Sequence, residues 1–149
     1  MNTWSKEESL QYLQEKFQAV KTAMLTTFHP RTGIRTRPIG TADVDSEGNI
    51  WFFTNEFLLI AGEISVDNTV SLTYSDPHHH TYLSILGEVS LVNDRARMEM
   101  LWTPFIKTFF PRGFDDPKLI LLKINPVKAE YWDHGSGSAI VLFNLMNAA

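Results

Sequence analysis

Eight short segments of β-branched, aromatic and aliphatic residues, each closed by a turn signal, constrain this chain more than any other feature. They span residues 23–28, 34–44, 49–54, 70–75, 82–92, 119–124, 129–132 and 139–143. The punctuation between them is strong: His29-Pro30-Arg31-Thr32-Gly33, Asp45-Ser46-Glu47-Gly48, Asp76-Pro77 with three histidines, and Asn125-Pro126. Short strands at such regular spacing predict an antiparallel barrel or sandwich. Three helices accompany them. Residues 5–20 open with Ser5 and Glu8 at capping-box spacing and carry Leu10, Leu13, Phe17 and Val20 on one stripe. Residues 56–66 form a second helix, and residues 94–105 a third with Asp94 as N-cap. The expected fold class is α+β: a small closed antiparallel β-barrel with peripheral helices.

Composition narrows what such a barrel does. At 149 residues the chain is read as a single domain, 1–149. A net charge of −4 with no basic patch argues against nucleic acid as a partner. The absence of cysteine excludes disulfides, thiolate metal sites and cysteine nucleophiles. The first ten residues are polar, with Lys6, Glu7 and Glu8, unlike a secretory leader, and no apolar run is long enough to span a membrane. A cytoplasmic protein is expected. There is no Gly-rich phosphate loop and no Gly-x-Ser-x-Gly elbow, and nothing specifies a nucleophile.

Several residue groups carry chemistry or packing. Arg35 and Arg37 alternate along a strand, so they share a face. They form either a fork of donors for an anion or a solvated barrel exterior. Residues 49–55, dense in aromatics and ending Phe53-Thr54-Asn55, read as barrel core or as an apolar wall with polar tips for a planar ligand. Trp102, Phe105, Phe109 and Phe110 suit either core or a subunit contact. Trp132 either stacks on a ligand or fills the barrel end. The His78-His79-His80 run reads as a solvated turn rather than a metal site, because adjacent side chains on a strand diverge.

Taken together, these segments resemble the flavin-binding split barrels related to pyridoxamine 5′-phosphate oxidase, and more closely their general stress protein branch. The resemblance covers about residues 8–143 and rests on the order and spacing of short motifs. These are Arg35-Thr36-Arg37-Pro38-Ile39, Trp51-Phe52-Phe53-Thr54-Asn55, Asp67-Asn68, Ser84-Ile85-Leu86-Gly87-Glu88, Leu101-Trp102-Thr103-Pro104, Asp115-Asp116-Pro117 and Glu130-Tyr131-Trp132-Asp133. It implies a split β-barrel homodimer with FMN at the subunit interface. Arg37, Pro38 and Ile39, with Arg35, would line the flavin. Phe53 and Thr54 match an aromatic-Thr pair near the phosphate or ribityl chain, with Asn55 beside them. Tyr82 falls where the oxidases place a Gln beside the flavin. Trp132 falls on a C-terminal Trp that reaches the partner's flavin, and Trp102 belongs at the interface.

Two departures follow from the resemblance. Leu59 and Ile60 stand where the oxidases carry an Arg-Lys phosphate clamp, which leaves the phosphate to Arg37, Arg35 and helix-start N–H groups. Ser138 and Ile140 stand where the oxidases present Arg and His to pyridoxal phosphate, so pyridoxamine phosphate oxidation is not expected. The implied function is an FMN-binding, stress-related, flavin-dependent oxidoreductase whose substrate and catalytic residues are unknown. The competing readings are a non-enzymatic flavin storage or sensing module, and a split barrel that binds another ligand such as haem.

Overall fold

The computed structural model describes residues 5–31, 33–55, 68–132 and 140–144. Helix α1 (Lys6–Ala19) begins as the sequence predicts. The Ser5 hydroxyl accepts the Glu8 N–H at 3.1 Å, and the Ser5 N–H donates to Glu8 Oε1 at 3.3 Å. Seven strands follow: β1 (Thr22–His29), β2 (Gly33–Val44), β3 (Ile50–Thr54), β4 (Thr69–Asp76), β5 (Thr81–Val92), β6 (Ile120–Trp132) and β7 (Ile140–Asn144). Their order is β3-β2-β1-β4-β5-β6, and β3 also pairs with β6, so six strands close into an antiparallel barrel. Strand β7 adds to the C-terminal half of β6, where β3 no longer runs. The α+β barrel expected from strand spacing is therefore the observed architecture.

Two apolar cores form because β3 is covered on both faces. Ile50 and Phe52 point into the barrel, with Leu25, Leu72, Ile85, Leu122 and Ile124, while Leu13 and Phe17 of α1 close one end. Trp51 and Phe53 point outward beneath helices α2 (Arg95–Leu101) and α3 (Pro104–Phe109) and pack with Met98, Leu101, Ile106 and Leu121. All five residues of β3 are consequently buried. Strands covered on both faces read as continuous apolar runs rather than alternating ones.

Two expected boundaries differ. The helix expected over 94–105 is two helices. Asp94 caps α2 as predicted, but Thr103 caps α3 through its hydroxyl, and Pro104 sits at the first turn. Proline cannot donate into a preceding helix and pushes the residue before it to extended backbone, so the chain turns there. The strands expected over 119–124 and 129–132 are one, because Asn125-Pro126 does not break the ladder. The register shifts there instead: Leu86 faces Lys128 but Gly87 faces Pro126, so one residue of β6 bulges out. A bulge tolerates the missing proline N–H. Gly87 is needed opposite it, since a Cβ there would come within 2.7 Å of Ile124 and 2.9 Å of the Asn125 carbonyl. The helix expected over 56–66 lies outside the described residues.

Candidate functional site

Strand β2 exchanges one partner for the other along its length. It pairs with β1 from Gly33 to Gly40 but with β3 only from Thr41 to Val44, and the register shifts between Thr41 and Asp43. Beyond Phe52, β3 continues with β6 alone. The two strands splay apart, and a groove of about 270 Å³ opens between residues 35–40 and 53–55, walled on the far side by α3. Arg35, Arg37, Pro38, Ile39, Phe53, Thr54 and Asn55 all line it. Those are seven of the residues expected at the site. Gly40, Ile106, Phe109 and Phe110 complete the wall.

The polar end of the groove is built by strand parity. Arg35, Arg37 and Ile39 share a face, and that face is the barrel side, since Arg37 sits opposite buried Leu25 on β1. Arg37 is only 9% exposed, and its Nη2 donates to the buried Thr27 hydroxyl at 2.8 Å. A solvated barrel exterior therefore does not describe Arg37. Arg35, one turn of the pleat further out, is exposed. Thr54 is buried at the end of β3. Asn55 follows it, and its amide Nδ2 donates to Asp116 Oδ2 at 3.0 Å. The Lys118 N–H donates to the other Asp116 oxygen at 2.9 Å, and these two hydrogen bonds hold the Asp116 carboxyl below the ordinary carboxylate value.

The apolar end depends on a close approach. A Cβ on Gly40 would lie 3.1 Å from the Phe105 ring and 3.2 Å from the Phe109 ring. The missing side chain lets α3 seat directly on β2. Phe105 and Phe109 meet edge to face at 5.2 Å, and Phe109 remains 43% exposed along the groove. Phe53 is buried beneath, in edge contact with Trp102 at 5.3 Å and tilted against Phe110 at 6.5 Å. Trp102 in turn stacks on Phe114 at 4.9 Å. It supports the groove from behind through Phe53 and is not among the lining residues.

Tyr82 and Trp132 face each other across β5 and β6, and both are exposed on the outer surface. Neither is among the groove's lining residues. Leu59 and Ile60 lie outside the described residues, as does Ser138. The histidine run forms a single 3-10 turn, Pro77–His79, as the turn reading expects. There His79 Nδ1 lies 2.9 Å from Asp76 Oδ2, which also accepts from Lys16 Nζ at 3.2 Å. Among the described residues no group of three or more His, Cys, Asp or Glu could hold a metal ion. Among them, too, no helix is long and apolar enough to cross a membrane.

A split antiparallel barrel with a groove at the parting of two strands, cationic at one end and aromatic at the other, defines a class of small-ligand-binding barrels. The chain belongs to the family described as pyridoxamine 5′-phosphate oxidase like, whose model matches residues 8–149. Solved structures agree. A protein from Clostridium acetobutylicum related to general stress protein 26 superposes with a TM-score of 0.78 at 23% identity, over 95% of this chain and 98% of that one. A general stress FMN/FAD binding protein from Xanthomonas citri superposes with a TM-score of 0.70 at 28% identity, over 90% and 94% of the two chains. A general stress family protein from Xanthomonas campestris pv. campestris gives 0.64 at 29% identity, over 90% and 93%. No curated protein matched the sequence.

Proposed function

We propose that this chain binds FMN in the groove between β2, β3 and α3 and works as a flavin-dependent oxidoreductase. The observation that carries the reading is the two-ended groove. Arg37 and Arg35, with the Thr54 hydroxyl, suit a phosphate at one end. Pro38, Ile39, Ile106, Phe109 and Phe110 suit a flat ring at the other. The likeness to the Xanthomonas citri FMN/FAD binding protein supports the same ligand. When bound, FMN would supply hydride and electron transfer, and the protein would supply orientation and exclusion of water. Among the described residues, the ionisable side chains lining the groove are the two arginines. A guanidinium offers donors and charge, not a proton acceptor. We assign no acid or base.

The reading includes a second copy of the chain. A groove of about 270 Å³ falls just short of the roughly 300 Å³ at which ligand pockets begin, so a second protomer would complete it. Pro38 on the groove edge pairs with Met24 on β1, and Phe28 pairs with Ile34 along the same outer face. Met24, Phe28 and Ile34 are 40%, 46% and 72% exposed, apolar positions on either side of the Thr26–Thr36 pair that begin at the groove edge and suit a partner protomer. Tyr82 and Trp132, exposed and outside the groove lining of their own chain, would then reach the partner's groove.

The test is an absorbance spectrum of the purified protein before and after loading with FMN and desalting, with gel filtration alongside. Retained flavin bands on a dimer are expected. A flat spectrum after loading would overturn the reading.

A further inference from the structure

Directly across β1 from Arg37 stands Leu25, and directly across from Arg35 stands Thr27. Leu25 offers a guanidinium nothing to bond. Arg37 instead reaches along the barrel side to the next pair, where its Nη2 donates to the Thr27 hydroxyl at 2.8 Å. Its head is thereby carried toward the level of Arg35, although the two side chains are rooted two residues apart. Thr27 is 2% exposed and is not among the groove's lining residues, whereas Arg37 is. The hydrogen bond is therefore sheltered from water that would compete for it. Holding one nitrogen does not exhaust the group, because a guanidinium carries five N–H donors in one rigid plane.

We infer that Thr27 is a positioning residue: it anchors Arg37 beside Arg35, so that the groove takes a flavin bearing a terminal phosphate in preference to the unphosphorylated flavin. This rests on the flavin reading above. A loose arginine gives up rotamer freedom when it grips an anion, and that loss subtracts from affinity. An arginine already anchored has given it up on folding. The anchored Arg37 supplies the directed grip, and the exposed Arg35 adds charge beside it for a phosphate that carries close to two negative charges. Riboflavin lacks the group that Arg37 would hold, so its affinity should not depend on Thr27.

Thr27→Val removes the hydroxyl and keeps the branched side chain, and Thr27→Ser keeps the hydroxyl. FMN and riboflavin differ only in the phosphate, so titrating each protein with both, by quenching of flavin fluorescence, isolates what the arginines see. The unaltered protein should prefer FMN. In Thr27→Val the FMN affinity should fall by about tenfold, the effect of one displaced hydrogen bond to a charged group, while riboflavin affinity stays as it was. Thr27→Ser should restore the preference. Should Thr27→Val not fold, Thr27→Ala against Thr27→Ser reads the same quantity, since both lack the methyl group and one keeps the hydroxyl; the ratio of FMN to riboflavin affinity should then be lower in Thr27→Ala.

An unchanged ratio on loss of the hydroxyl would overturn the inference. So would an equal loss for both flavins, which would make Thr27 a structural residue, or a ratio that Thr27→Ser fails to restore. Equal affinity of the unaltered protein for FMN and riboflavin would also overturn the inference and leave the flavin reading standing. Failure of the unaltered protein to bind either flavin would overturn both together.

Discussion

Replacing Arg37 by Met tests binding, and melting curves read folding separately. Arg37 is 9% exposed, and its guanidinium donates to the Thr27 hydroxyl at 2.8 Å. Met keeps most of the stem length and its packing beside Leu25 and Ile39. FMN binding should weaken sharply, since a charge-assisted hydrogen bond is worth about 1.5–3 kcal/mol, or roughly ten- to a hundredfold in Kd. Arg35→Met, at an exposed position, should cost less than about threefold and fade with added salt. Fluorescence titration with FMN and melting curves with and without ligand supply both readings. A marked fall in the ligand-free melting temperature, with Kd changed by less than about threefold, would refute the reasoning and make Arg37 a structural residue.

Three further outcomes follow from the packing and from the ionic contact at the end of β4. Gly40→Val should push Phe105 and Phe109 off β2, costing about 1–3 kcal/mol of stability and lowering FMN affinity with it; a variant with unchanged binding would show that α3 does not form the groove wall. Ser5→Ala removes half of the capping box and should cost about 1 kcal/mol, a drop of roughly 2–4 °C in melting temperature, with no effect on flavin. Burial alone would raise the Asp76 carboxyl, but the hydrogen bonds from Lys16 and His79 outweigh it and hold the group below its ordinary 3.8. A depressed carboxyl stabilises above its unfolded value and loses that contribution as pH falls through the folded one. Melting temperature should thus decline on acidification below 3.8 more steeply in the unaltered protein than in Asp76→Asn, and parallel curves would show the contact to be energetically idle.

The barrel was legible because its strands carry their own boundaries. Turn residues and the Ser5–Glu8 capping box act over two to four positions, and local signals of that reach survive in any tertiary context. The elements misjudged are those where a local signal competes with a pairing partner. Asn125-Pro126 looks like a break, and on an isolated strand it would be one. Gly87 on β5 lets the strand bulge instead, and nothing within a few residues of Pro126 announces Gly87. Thr103-Pro104 was the opposite case. A hydroxyl N-cap followed by proline at the first helical position is a local start signal, and the apolar stripe of Met98, Leu101, Trp102 and Phe105 masked it.

The groove was legible as a list of residues but not as a shape. Period two places Arg35 and Arg37 on one face, but which face is inside depends on the register of β2 against β1, where Arg37 meets Leu25. The cavity itself arises because β3 leaves β2 after Phe52, an event written in no motif, only in the preference of Phe53 and Thr54 for Leu121 and Ile120 on β6. Asn55 marks the furthest reach of this limit. Its residue type suggested a polar tip, yet the partner that holds its amide, Asp116, lies 61 positions away and is announced by nothing near residue 55.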